Sequence, residues 1–77
     1  MNLSERIKTI RYERRLNQRG LAETLGVTQQ SYSQVENKPE SAKLSTLIKV
    51  ADALGVKLSF LVGETEINEQ SVRENLK

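Results

Sequence analysis

The 77-residue chain has no cysteine, no histidine and no tryptophan. These absences exclude disulfide frameworks, thiol nucleophiles, zinc fingers, Cys–His and Ser–His–Asp catalysis and most transition-metal sites. No metal and no cofactor are therefore expected. Aspartate occurs once, at Asp52, and proline once, at Pro39. No apolar run approaches the roughly 18 residues of a membrane span. No charged-then-apolar-then-small pattern opens the chain, so no signal peptide is expected. A soluble cytoplasmic protein without a membrane partner is the reading, and the lack of cysteine fits a reducing compartment. At this length one small domain is expected. Such a domain buries only about 60% of its unfolded surface, which leaves no room for both a full core and a deep substrate cavity.

The net charge of +2 hides an asymmetry. Residues 1–20 hold six basic residues (Arg6, Lys8, Arg11, Arg14, Arg15, Arg19) against Glu5 and Glu13, a surplus of +4. Residues 64–77 hold four glutamates against Arg73 and Lys77, a balance of −2. A basic front suits a polyanion. If it neutralises about five phosphates per monomer, log affinity falls with log salt at a slope of about −4 to −5.

Periodicity and punctuation divide the chain into helices. Leu3, Ile7 and Ile10, with Tyr12 as a marginal member, are close to helical spacing, and Asn2 and Glu5 have the separation of a capping box. A first helix is predicted over about 3–14. Asn17 is a good N-cap for a second helix over about 18–25, with Leu21, Ala22 and Leu25 inward and Gly26 at its C-cap. Thr28 caps a third helix over about 29–36, with Tyr32 and Val35 inward. Asn37 to Ser41 has turn composition. Leu44, Leu47, Ile48, Ala51 and Leu54 predict a fourth helix over about 44–54, stopped by Gly55. The segment 56–62 reads equally as a short helix capped by Ser59 or as a strand. The polar tail, 64–77, reads as a frayed helix, a disordered segment or part of a dimer contact.

The second and third helices carry the function. Ala22 permits close helix crossing, Gly26 supplies a positive φ, Thr28 caps the helix that follows and Val35 packs inward. This is the helix-turn-helix arrangement, whose second helix enters the DNA major groove. Gln29, Gln30, Ser33 and Gln34 lie on the side away from Tyr32 and Val35. They make an uncharged hydrogen-bonding face, and a glutamine amide suits the N6/N7 edge of adenine.

The run L-N-Q-R-G-L-A-E-T-L-G-V-T-Q-Q-S-Y-S-Q-V-E-N, Leu16 to Asn37, resembles the Cro/C1-type (XRE) helix-turn-helix proteins. These include lambdoid phage repressors, restriction–modification controllers and many antitoxins. The resemblance extends through A-D-A-L-G-V-K-L-S-F-L-V-G to Gly63. It implies an all-α, five-helix, lambda-repressor-like domain over 1–63 that binds palindromic double-stranded DNA as a homodimer. It places Gln29, Gln30 and Gln34 at base-reading positions, with Ser33 beside them. It places Gln18 where a phosphate is clamped and Asn37, Lys38 and Lys43 in a loop touching the DNA backbone. Arg11 and Glu36 match a semi-buried ion pair, and Arg11 is counted among the backbone-contacting residues as well.

The sequence departs from the family pattern in three places. Gly20 stands inside the second helix, where alanine would be better by about 0.5–1 kcal/mol. The loop after the third helix lacks the common glycine and carries Glu40. The stretch K-P-E-S-A-K-L-S-T-L with 56–62 is similar to operon-autoregulating antitoxins of the HipB kind, in which the last segment is a strand. The implied function is thus a transcriptional regulator, most simply a repressor. An antitoxin whose principal partner is a toxin protein is the alternative. A helical protein-interaction module would carry acidic or apolar residues on the third helix instead of glutamines. An enzyme would have to use Ser31, Ser33, Lys38 and Lys43, which nothing orients.

Overall fold

A computed structural model describes residues 2–63. They form α1 (Leu3–Glu13), α2 (Gln18–Leu25), α3 (Gln29–Asn37), a 3₁₀ turn (Pro39–Ser41), α4 (Leu44–Leu54) and α5 (Leu58–Leu61). The expectations for the acidic tail, 64–77, lie outside the described residues. No helix among the described residues is long and apolar enough to cross a membrane.

Each of the first three helices begins on a side-chain cap. Asn2 accepts from the Glu5 N–H at 2.8 Å, Asn17 from the Gly20 N–H at 2.7 Å and Thr28 from the Ser31 N–H at 3.0 Å. Such caps satisfy helix N–H groups that would otherwise lack partners. Gly26 and Gly55 close α2 and α4 with φ of 72° and 74°, a left-handed conformation that costs glycine nothing. The turn after α1 has no glycine, and Arg15 takes the left-handed conformation there, at φ 56°.

The core is one cluster of Ile7, Ile10, Leu21, Ala22, Tyr32, Val50, Ala51, Leu54 and Leu61. α2 packs on both α3 and α4, α4 on α5, and α1 bridges α3 and α5. The fourth helix buries Leu47, Val50, Ala51 and Leu54, a stripe with steps of three, one and three residues. Two members of the expected stripe are outside it: Leu44 is 64% exposed and Ile48 is 41% exposed. Tyr12 also fails as a core residue, being 69% exposed. The segment 56–62 is a helix in its central four residues, and its N-cap is Lys57 rather than Ser59. Of the two alternatives open for this segment, helix and strand, the helix is the one formed, as α5. Arg6 ties that helix to α1, donating from Nε to the Phe60 carbonyl at 2.7 Å with its guanidinium 4.8 Å from the Phe60 ring centre.

Gly20 lies in the first turn of α2 without a positive φ. A methyl group there would stand 3.1 Å from Asn17 Oδ1, the oxygen that caps the helix. Gly20→Ala is therefore expected to gain less than about 0.5 kcal/mol, below the roughly 1 kcal/mol of an unobstructed helix site. The denaturant midpoint measures this, and a gain as large as 1 kcal/mol would contradict it.

Candidate nucleic-acid interface

α3 is held from behind by three residues. Tyr32 and Glu36 are buried and Val35 is half-buried. At 3.6 residues per turn these three share one side of the helix. Gln30, Gln34 and Asn37 then fall at the centre of the outward arc. Gln29 and Ser33 lie on the flank next to Glu36, and Ser31 on the flank next to Val35. Gln29, Gln30, Gln34 and Asn37 are all exposed, so the expected hydrogen-bonding face is present on the surface. Ser33 is half-buried and accepts from Asn37 Nδ2 at 3.3 Å. Asn37 was expected in a loop but is the last residue of α3, in line with Gln30 and Gln34. Ser31, outside the expected set, is exposed and accepts from the Thr28 hydroxyl at 2.9 Å.

The turn before α3 fixes how that face is presented. Ala22 is 2% exposed, small enough for α2 and α3 to meet closely. The N–H of Val27 donates to the Ala22 carbonyl at 3.0 Å across the Gly26 turn. Lys38, Asn37 and Gln34 border a shallow cleft of about 450 Å³ that continues to Ser41 and Ala42. Lys43 is exposed at the start of α4.

Arg11 and Glu36 form a fully engaged pair. Arg11 Nε donates to Glu36 Oε2 and Nη2 to Oε1, both at 2.9 Å, while Nη1 donates to the Leu16 carbonyl at 3.1 Å. Gln18 Nε2 donates to the same Oε1 at 3.1 Å. The Ser4 hydroxyl donates to the Glu36 backbone carbonyl at 2.6 Å. α1, the start of α2 and the end of α3 are thus locked through one glutamate. Burial pushes the Glu36 carboxyl up, but the hydrogen bonds and charge of Arg11, with Gln18, outweigh it and hold the carboxyl below its ordinary value. The hydrogen bond to Glu36 raises Arg11 above its own. The Tyr32 hydroxyl is buried near this carboxylate, outside hydrogen-bonding geometry, and burial pushes its pKa up.

This geometry narrows two expectations. Arg11 is 6% exposed with its guanidinium turned to Glu36, so little of it is left to meet the DNA backbone. Gln18 is half-buried and commits one amide hydrogen to Glu36, leaving the other. Arg6 is likewise engaged by Phe60. The basic front is therefore smaller on the surface than in the sequence. Arg19 remains exposed, in a loose 3.7 Å pair with Glu23.

A short helix with an exposed, uncharged face, presented by a turn of this geometry, defines a class, and the comparison with known proteins agrees. The chain belongs to the helix-turn-helix family, whose model matches residues 7–61. It is 41% identical over its full length to the immunity repressor protein of Bacillus phage phi105, covering 54% of that protein. Over 96% of its length it is 38% identical to the cryptic phage CTXphi transcriptional repressor RstR of Vibrio cholerae, covering 64% of it. It is 31% identical, over 96% of its length, to the uncharacterized HTH-type transcriptional regulator YqaE of Bacillus subtilis, covering 63%. The chain spans about half to two thirds of the length of these curated relatives. No solved structure matches it.

Proposed function

We propose that the protein is a sequence-specific DNA-binding transcriptional repressor that occupies a palindromic operator as a homodimer. The observation that carries this is the outward face of α3. Gln29, Gln30 and Gln34 stand exposed and uncharged on a helix anchored from behind by Tyr32 and Glu36. Glutamine amides donate and accept together and so can read base edges in the major groove. Two similar proteins bear the name repressor. Two copies of α3 separated by one turn of DNA, about 34 Å, set the spacing of the half-sites. Repression then needs no chemistry: occupancy of the operator blocks polymerase.

The backbone contacts supply affinity that is independent of sequence. Arg6 and Arg11 are engaged by Phe60 and Glu36, and Arg14 extends toward Gly55 at the end of α4. Lys8, Arg15, Arg19, Lys38 and Lys43 remain for phosphates. Five neutralised phosphates per monomer predict a slope of about −4.5 in log affinity against log salt. Titrations of a random duplex over a range of salt measure it. A slope near zero would show that these cations are only a solvated surface, and the proposal would lose its electrostatic part.

A further inference from the structure

A cavity of about 110 Å³ lies between the α2–α3 turn, one flank of α3 and the middle of α4. Val27, Val35 and Val50 give it apolar walls, and Ser31, Thr46 and Lys49 supply polar groups. Val50 is buried and Val35 and Thr46 are half-buried, whereas Ser31 and Lys49 are exposed. The cavity is thus apolar at its base and polar at its mouth. Its polar groups are uncommitted donors. The Ser31 hydroxyl accepts from the Thr28 hydroxyl at 2.9 Å, so its own hydrogen points elsewhere. Among the described residues no acceptor takes that hydrogen, none takes the Thr46 hydroxyl, and no carboxylate pairs with Lys49. Asp52, three positions along α4, is exposed and forms no ion pair with Lys49.

An apolar body with one anionic head fits this lining. A phosphodiester has no apolar part to set against Val35 and Val50, and a plain hydrocarbon leaves the donors without partners. A carboxylate brings one charge for Lys49 and two acceptor oxygens for the two hydroxyls. Size limits the rest. An apolar cavity of about 150 Å³ takes a benzene-sized molecule, so this one takes a chain of about four or five carbons. We propose that the cavity is a regulatory site for a short monocarboxylic acid, and that its occupation weakens the operator complex. The carboxylate lies among Ser31, Thr46 and Lys49, and the alkyl group lies between Val35 and Val50. The regulatory part rests on the repressor reading above. Ser31 and Val35 belong to α3 and follow Gln30 and Gln34 in the chain. A bound carboxylate cancels the Lys49 charge and sets a negative charge beside the face that meets DNA. Repulsion from the phosphates makes the acid bind the free protein better than the complex, the differential affinity that such a shift requires. By linkage, the operator lowers the affinity for the acid by the same factor.

The test uses the full chain and isovalerate at matched ionic strength, with isovaleramide as the neutral analogue and acetate as the head group without the body. Isovalerate is expected to shift the Val27, Val35 and Val50 methyl resonances saturably, with a dissociation constant of about 1 mM. The amide and acetate are expected to bind at least about tenfold more weakly. Lys49→Gln, an exposed substitution, is expected to weaken isovalerate by about fivefold. Saturating isovalerate is expected to weaken the wild-type operator complex by about threefold to tenfold at 0.1 M salt and by less at higher salt. No saturable shift at these valines, or equal binding of isovalerate and its amide, overturns the site. If isovalerate binds there and operator affinity does not change, the regulatory role is overturned while the repressor reading stands. If Lys49→Gln by itself lowers the salt slope of DNA binding by about one unit, Lys49 is a phosphate contact and the assignment is overturned. If the wild type binds no duplex, the repressor reading fails and the regulatory role with it, and the valine shifts still decide the site.

Discussion

Glu36→Ala is expected to destabilise the protein by about 3–5 kcal/mol, the usual result of removing one partner from a buried ion pair. The Arg11 guanidinium would keep its burial and lose two of its three hydrogen bonds. Gln18 would lose its acceptor as well. Domains have stabilities of about 0.05–0.15 kcal/mol per residue, so this loss would leave much of the population unfolded at 25 °C. Replacing both partners by apolar residues of similar volume, Arg11→Met with Glu36→Leu, is expected to recover most of it, because no charge is then stranded. Denaturant unfolding of the two single variants and the double variant forms the test. If Glu36→Ala unfolds like the wild type, the pair does not hold α1 to α3.

The same pair gives the protein an acid limit with a definite sign. The Glu36 carboxyl sits below its ordinary value of 4.5 in the folded state. As pH falls, the unfolded chain takes up that proton first. The stabilisation is thus fully present above about pH 4.5 and is lost as pH drops through the lower, folded value. Glu36→Gln removes the charge and the titration together. The stability difference between wild type and Glu36→Gln should be constant near neutrality and shrink in the acid range. Widening on acidification would contradict the assignment.

A second large effect is expected on α3, in binding instead of folding. Gln30 and Gln34 stand at the centre of its outward arc and Gln29 on its flank, all exposed. Truncating each to alanine should reduce the preference for operator over random DNA by about 1–3 kcal/mol per good base contact. The fold should stay within about ±0.5 kcal/mol, as for other exposed substitutions. Lys38→Ala and Lys43→Ala should instead weaken both duplexes alike and lower the salt slope by about one unit each. If all five variants lose the same factor on both duplexes, α3 is not the reader. General electrostatics would then hold the DNA, or the partner would be another protein.

What could be read in the sequence was local. Asn17, Thr28, Gly26 and Gly55 mark helix ends because each acts on backbone groups within a few residues. The face of α3 was legible for the same reason, since helical geometry carries Tyr32 inward and Gln30 outward together. Long-range packing was not legible in the same way. Val50 is buried and Ile48 is not, though both are apolar and two residues apart, because α2 and α5 select which side of α4 is covered. Alternation over five residues could not separate strand from helix at α5, and Leu61, wholly buried against the core, settles which side faces in. Arg6 and Phe60 are 54 positions apart, and no spacing rule connects them. The Arg11–Glu36 pair, 25 positions apart, was reached only through the resemblance to a family. That resemblance did not show that pairing would remove Arg11 from the surface.

The central claim is that exposed glutamines on α3 read a two-fold DNA site. Selection of bound duplexes from a random pool, run in parallel for the wild type and for Gln30→Ala, tests it most directly. The account predicts that the wild type enriches one sequence with two related halves whose centres lie about 34 Å apart. Gln30→Ala should enrich the same site with preference relaxed at one position in each half. Enrichment of no sequence by the wild type, or of an identical site with undiminished preference by the variant, would contradict it.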